Sequence, residues 1–151
     1  MPARPVSSQY ETSIDRVGLA IGAGGLMGGA IGVLLMAFAG THNAAALLAG
    51  LLIGSLMTAL SITALAAIPW ALLHASGRRG PMAAAVLGAA IGFALFLGGQ
   101  TYGYGLFTMP ATDAGALLYR WASGFLTSLV MAAMAAGVAV VMWRVAYRKV
   151  G

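Results

Sequence analysis

Apolar residues fall along this chain in four long uncharged blocks divided by short polar breaks. Neither Asp, Glu, Lys nor Arg occurs from Val17 to Ala39, Ala44 to Ala75, Met82 to Gly99 or Trp121 to Trp143. A membrane-crossing helix needs roughly 17–25 mostly apolar residues. Each block reaches that length. The pattern predicts an all-α fold, an integral membrane four-helix transmembrane bundle with spans of about 17–39, 44–75, 82–99 and 121–143.

The breaks carry the local punctuation. Residues 1–16 form a polar tail, and Pro2 and Pro5 keep its start irregular. Ser8-Gln9-Tyr10-Glu11 fits a capping box, which predicts a helix starting near Ser8. Gly40-Thr41-His42-Asn43 reads as a tight turn, with Asn43 as N-cap of the next helix. The second block exceeds what a crossing needs, so it is expected to tilt or project from the bilayer. Pro69 is expected to kink it. Ser76 to Pro81 is a clear break. The outer loop 100–119 is aromatic rather than strongly polar, and Asp113 is placed to cap a helix running through Arg120 into the fourth span. Residues 144–151 make a basic tail. Ala37-Phe38-Ala39 has the small-x-small form of a cleavage site. The apolar run before it is longer than the 7–15 residues typical of a signal peptide, so the block is read as a retained span.

Charge sets the predicted orientation. With four spans, the N-terminal tail, the 76–81 loop and the C-terminal tail share one side. They hold Arg4, Arg16, Arg78, Arg79, Arg144, Arg148 and Lys149, and the other side holds Arg120 alone, which accounts for all eight basic residues. Basic loops stay in the cytoplasm, so both termini are expected inside. Trp70, Trp143 and Tyr147 would mark the inner interface, and Tyr102, Tyr104, Tyr119 and Trp121 the outer one.

Composition agrees. Of 151 residues, 61% are apolar and 7% charged, against about 25% charged in a soluble domain. The net charge of +5 would suggest nucleic acid in a soluble protein. Here it is read as topology signal, with the lipid bilayer as partner and no nucleic acid. The absence of cysteine excludes disulfides, thiolate metal sites and a cysteine nucleophile. Richness in Ala, Gly and Arg suits a GC-rich bacterial genome and points to a bacterial inner membrane.

Small residues recur at spacing four, which places them on one helix face. The first span has Ala20, Gly24, Gly28 and Gly32, with Gly25 and Gly29 beside them. The second has Ala46, Gly50 and Gly54, the third Ala84, Gly88 and Gly92, and the fourth Gly124, Ser128 and Ala132. Lipid supplies no hydrophobic force between helices, which associate through close backbone approach. These glycines are therefore the candidates for helix packing, within the bundle or in a homo-oligomer or larger membrane complex. Replacing Gly28 and Gly32 with Leu is expected to disrupt folding or assembly.

Candidate chemistry is sparse. Intramembrane charge marks pumps and proton relays, and the four blocks have none. His42 and His74 lie at opposite ends of the second span, about 48 Å apart at 1.5 Å per residue, too far to share a ligand. The nine Met residues read as gap fillers. Gly22 to Met27 fails the dinucleotide fingerprint at its sixth position. No catalytic, cofactor or metal set emerges, and the expectation is a non-enzymatic accessory or self-associating subunit. The alternative is a passive pore or small-solute transporter lined by Thr58, Ser61, Ser123 and Thr127, the hydroxyls at membrane depth. Thr101-Tyr102-Gly103-Tyr104-Gly105 also resembles the potassium-channel filter, Thr-Val-Gly-Tyr-Gly, in which backbone carbonyls replace an ion's hydration shell. The resemblance spans five residues, with Tyr102 for Val and Leu106 where the family has Asp. It implies that 82–99 dips in as a pore helix, which would leave more basic residues outside than inside.

Overall fold

The computed structural model describes residues 10–103 and 113–149. It is an all-α bundle with four helices long and apolar enough to cross a membrane. Strand β1 (Tyr10–Glu11) precedes α1 (Ile14–Phe38). Helix α2 (Ala44–Ser61) runs through a π turn (Ile62–Ala66) into α3 (Ala67–Ala75). Helix α4 (Pro81–Gly98) ends in a second π turn (Gly99–Gly103). Helix α5 (Ala114–Ala146) leads into β2 (Arg148–Lys149).

Local chemistry fixes the ends. Asn43 caps α2, its Oδ1 accepting from the N–H groups of Ala45 and Ala46 at 2.9 and 3.1 Å. Asp113 caps α5, accepting from Ala116 N–H at 2.6 Å, so this helix starts earlier than the span drawn from Trp121. At the N-terminus the expectation fails. Helix α1 starts at Ile14 with Ser13 as cap, and Tyr10–Glu11 pairs antiparallel with Arg148–Lys149 instead. Ser8 lies outside the described residues. The turns after α1 and α3 share one device. Gly40 and Gly77 take positive φ of 90° and 77°, which lets Thr41 N–H reach Met36 O and Arg78 N–H reach Leu73 O, both at 3.0 Å.

The kink expected at Pro69 takes a definite form. Proline has no N–H and its ring crowds the carbonyl four residues back. The helix widens into the π turn at 62–66, just ahead of it. Beyond that turn, α3 leans toward α4. Two hairpins, α1–α2 and α4–α5, form the bundle and are joined along α1 and α5. The spans of 32 and 33 residues overshoot the roughly 20 that a bilayer needs.

Candidate functional site

The two hairpin seams are built from small residues, and each predicted glycine can be placed. Gly88 and Gly92 press on α5: a methyl at Gly88 would lie 2.7 Å from Ala135 O, and one at Gly92 would lie 2.6 Å from Ala135 Cβ. A methyl at Gly54 would lie 3.3 Å from the Cα of Gly29, and one at Gly28 would run into the Thr58 side chain. Gly24 faces Met142 Sδ of α5 and Ile62 Cδ1 of the first π turn, and Gly50 faces Met36 Sδ, all of them far ends of side chains. Gly124 is buried and accepts the hydroxyl of the fully enclosed Ser128 at 2.7 Å.

The row Gly24, Gly28, Gly32 is not one seam. Gly24 lies between Met142 of α5 and Ile62 of the first π turn, Gly28 faces α2, and a methyl at Gly32 meets nothing within 4 Å. Four residues turn a helix through 400°, so a spacing-four row drifts by about 40° per step. The close backbone contacts of α1 fall instead on Gly25 and Gly29. A methyl at Gly25 would lie 2.8 Å from Ser55 O, and one at Gly29 2.7 Å from Leu51 O.

The pore-lining candidates do not converge. Ser61, Ser123 and Thr127 are exposed on the bundle's outer surface, and Thr58 sits in the α1–α2 seam. Thr127 returns its hydroxyl to Ser123 O at 2.8 Å. A single-chain lumen lined by these four residues is therefore not formed. Thr101 to Gly103 belong to the second π turn, and Thr101 donates back to Leu97 O and Gly98 O at 2.8 and 3.0 Å. Helical carbonyls point along the helix axis, so these three residues cannot act as a filter strand. Tyr104 and Gly105 lie outside the described residues.

The most elaborate constellation lies at the basic end. Tyr147, 7% exposed, is its hub. Its hydroxyl and His74 Nδ1 are 2.8 Å apart. Rings of Trp143, His74, Trp70 and Tyr10 surround it with centroids 5.9–6.5 Å away. Tyr10 also meets Trp143 edge-on at 5.1 Å. Trp143 Nε1 donates to Arg79 O at 2.8 Å, and Arg79 Nε donates to His74 O at 3.3 Å. Ala20, 2% exposed, and Ala146 fill the floor where α1 crosses α5. Burial holds the Tyr147 phenol above its usual range, against smaller opposing effects of Trp70 and the Arg79 charge. The phenol is therefore neutral throughout physiological pH.

His74 is thus an anchored ring rather than a loose interfacial residue. The signal was present in the spacing: Trp70 and His74, and Trp143 and Tyr147, each stand four apart at the basic ends of two long spans. His42 is exposed in the opposite turn. Among the described residues, no group of three or more His, Asp or Glu side chains could hold a metal. The chain matches no protein-family model, no curated protein and no solved structure.

Proposed function

We propose that the protein is a non-catalytic subunit of a bacterial inner membrane, with both termini in the cytoplasm, that works by lateral association with a second copy or a larger membrane complex. One observation carries this reading. Helix α1 has more small residues than its own bundle occupies. Gly18, Gly22, Gly25, Gly29 and Gly32 lie within about 40° of one helical line at 100° per residue. The α2 helix covers Gly25 and Gly29, while a methyl at Gly18, Gly22 or Gly32 meets nothing within 4 Å. Beyond the π turn, α3 turns to α4 and leaves the basic end of this line open. Glycine within a helix costs up to about 1 kcal/mol relative to alanine in water, and a partner helix approaching closely would offset that cost.

The test compares two ends of one face. Gly22→Leu is expected to leave the chain folded, because it meets open space, and to reduce the assembled mass measured after gentle extraction from native membranes. Gly29→Leu is expected to unfold the chain itself. A parent that travels as a bare monomer, or a Gly22→Leu variant that keeps its full assembled mass, would overturn the proposal.

A further inference from the structure

We infer that His74 and Tyr147 form an acid-released latch, which holds α3 against the end of α5 at neutral pH and loosens when the His74 ring takes a second proton. The latch joins the two hairpins. His74 and Trp70 stand on α3, and Trp143 and Tyr147 stand at the end of α5. The bond between His74 Nδ1 and the Tyr147 hydroxyl is 2.8 Å long and links residues 73 positions apart.

The supply of acceptors fixes the direction. The phenol keeps its proton throughout physiological pH, so its O–H is always a donor. His74 Nδ1 is the one acceptor it meets among the described residues. In the neutral ring, Nδ1 accepts from the phenol and Nε2 carries the ring's proton. In the doubly protonated ring both nitrogens are donors. Nδ1–H then faces the phenol oxygen, and the phenol O–H loses its acceptor. The titratable and charged groups facing the ring are Tyr147 of α5 and Arg78 and Arg79 of the turn after α3, while α4 brings only alanine and leucine there. A guanidinium has no acceptor, so neither arginine can take over from Nδ1.

Magnitudes decide between two opposed effects of the second proton. Tyr147 is buried, and an unsatisfied buried donor shifts an equilibrium by about tenfold or more. The charged ring gains from lying beside the rings of Trp70 and Tyr147, at 5.5 and 5.9 Å. His74 is partly exposed, and a cation beside aromatic rings at an exposed site is worth about fivefold at most. The loss is the larger. A free imidazole takes its second proton near pH 6.5, so the latch is intact above that pH and weakens below it. This inference stands apart from the association proposal, since it needs only one copy of the chain.

Amide hydrogen exchange read by mass spectrometry tests it, on the full-length chain in detergent at pH 8 and pH 5. Rates are corrected for the intrinsic pH dependence of exchange. The opening equilibrium of segments 70–77 and 143–149 is expected to rise about tenfold at pH 5. That of the α4–α5 seam, read at 128–139, should change less than twofold. His74→Asn sets a carboxamide oxygen near the place of Nδ1 and takes no proton in this range, so its opening should be equal at the two pH values. Tyr147→Phe has no hydroxyl to orphan. It should already be more open than the parent at pH 8 and change less than twofold at pH 5. Equal opening of the parent at both pH values would overturn the inference, because a water would then be accepting from the phenol. A tenfold rise in either variant, or a rise at 128–139 equal to that at 143–149, would overturn it as well.

Discussion

The middle of the bundle and its basic end are held by different forces. In the middle, glycine lies against backbone: Gly25 and Gly29 against α2, Gly88 and Gly92 against α5. The buried residues of the spans there are small, as at Gly24, Gly92, Gly124, Ser128 and Ala132, and large residues such as Leu52, Leu56 and Leu126 point outward. At the basic end the order reverses. Tyr147, Trp143 and Trp70 turn inward, with the Tyr147 hydroxyl hydrogen-bonded to His74 and the Trp143 indole N–H to Arg79 O. Solvent explains the difference. Between lipid chains a leucine gains nothing by burial, so helices adhere by close approach. At the water boundary aromatic burial is favourable again, and each ring pair adds about 0.5–1.5 kcal/mol.

The sharpest way to break this comparison is to fill the middle. Gly29→Leu and Gly88→Leu place a branched side chain where backbone already stands, and each is expected to cost about 3 kcal/mol or more, at the upper end of overpacking penalties. Gly24→Ala and Gly50→Ala face the movable ends of side chains, Met142 and Ile62 at the first and Met36 at the second, and are expected to cost less than about 1.5 kcal/mol. Unfolding by a denaturing detergent, followed by far-UV circular dichroism, separates the two groups. Equal costs in both would mean that close backbone approach does not organise the seams.

At the basic end a smaller effect is expected. Tyr147→Phe keeps the ring and removes the hydroxyl that meets His74, a loss of about 1 kcal/mol. The same hydroxyl gives a pH signature. Because burial raises the folded phenol's pKa, its contribution is full below the unfolded value near 10 and fades as pH rises through the raised folded value. Stability should therefore fall above pH 10 more steeply in the parent than in Tyr147→Phe. Tryptophan fluorescence from Trp70 and Trp143 reports the loosening, and identical alkaline slopes in parent and variant would show that this phenol does not secure the end.

The spans were legible because apolar block length is a one-dimensional property. Asn43 and Asp113 were legible as caps because a cap lies within three residues of what it satisfies. Three features needed the third dimension. The pairing of Tyr10–Glu11 with Arg148–Lys149 joins segments nearly the whole chain apart, and a local capping-box reading of Ser8–Glu11 competed with it. The choice of Gly25 and Gly29 over Gly24 and Gly32 depends on where α2 crosses α1, and glycine spacing fits both rows. The meeting of His74 and Tyr147 depends on the π turn and Pro69 directing α3 inward, whereas sequence alone marked only a kink.

The smallest effect comes from Gly32, and it tests whether the open glycines are open in the membrane too. A methyl there meets nothing within the chain. In water, Ala for Gly would favour the helix by up to about 1 kcal/mol. In lipid, unsatisfied backbone groups are so costly that the helix forms with either residue, which should compress the change to within about 0.5 kcal/mol. Gly32→Ala is thus expected to unfold like the parent in the same detergent titration. A loss above about 1 kcal/mol would mean that something outside the chain already occupies the space beside Gly32. The association face would then lie at the end of α1 nearer Gly40, and Gly22 would be the lipid-facing glycine.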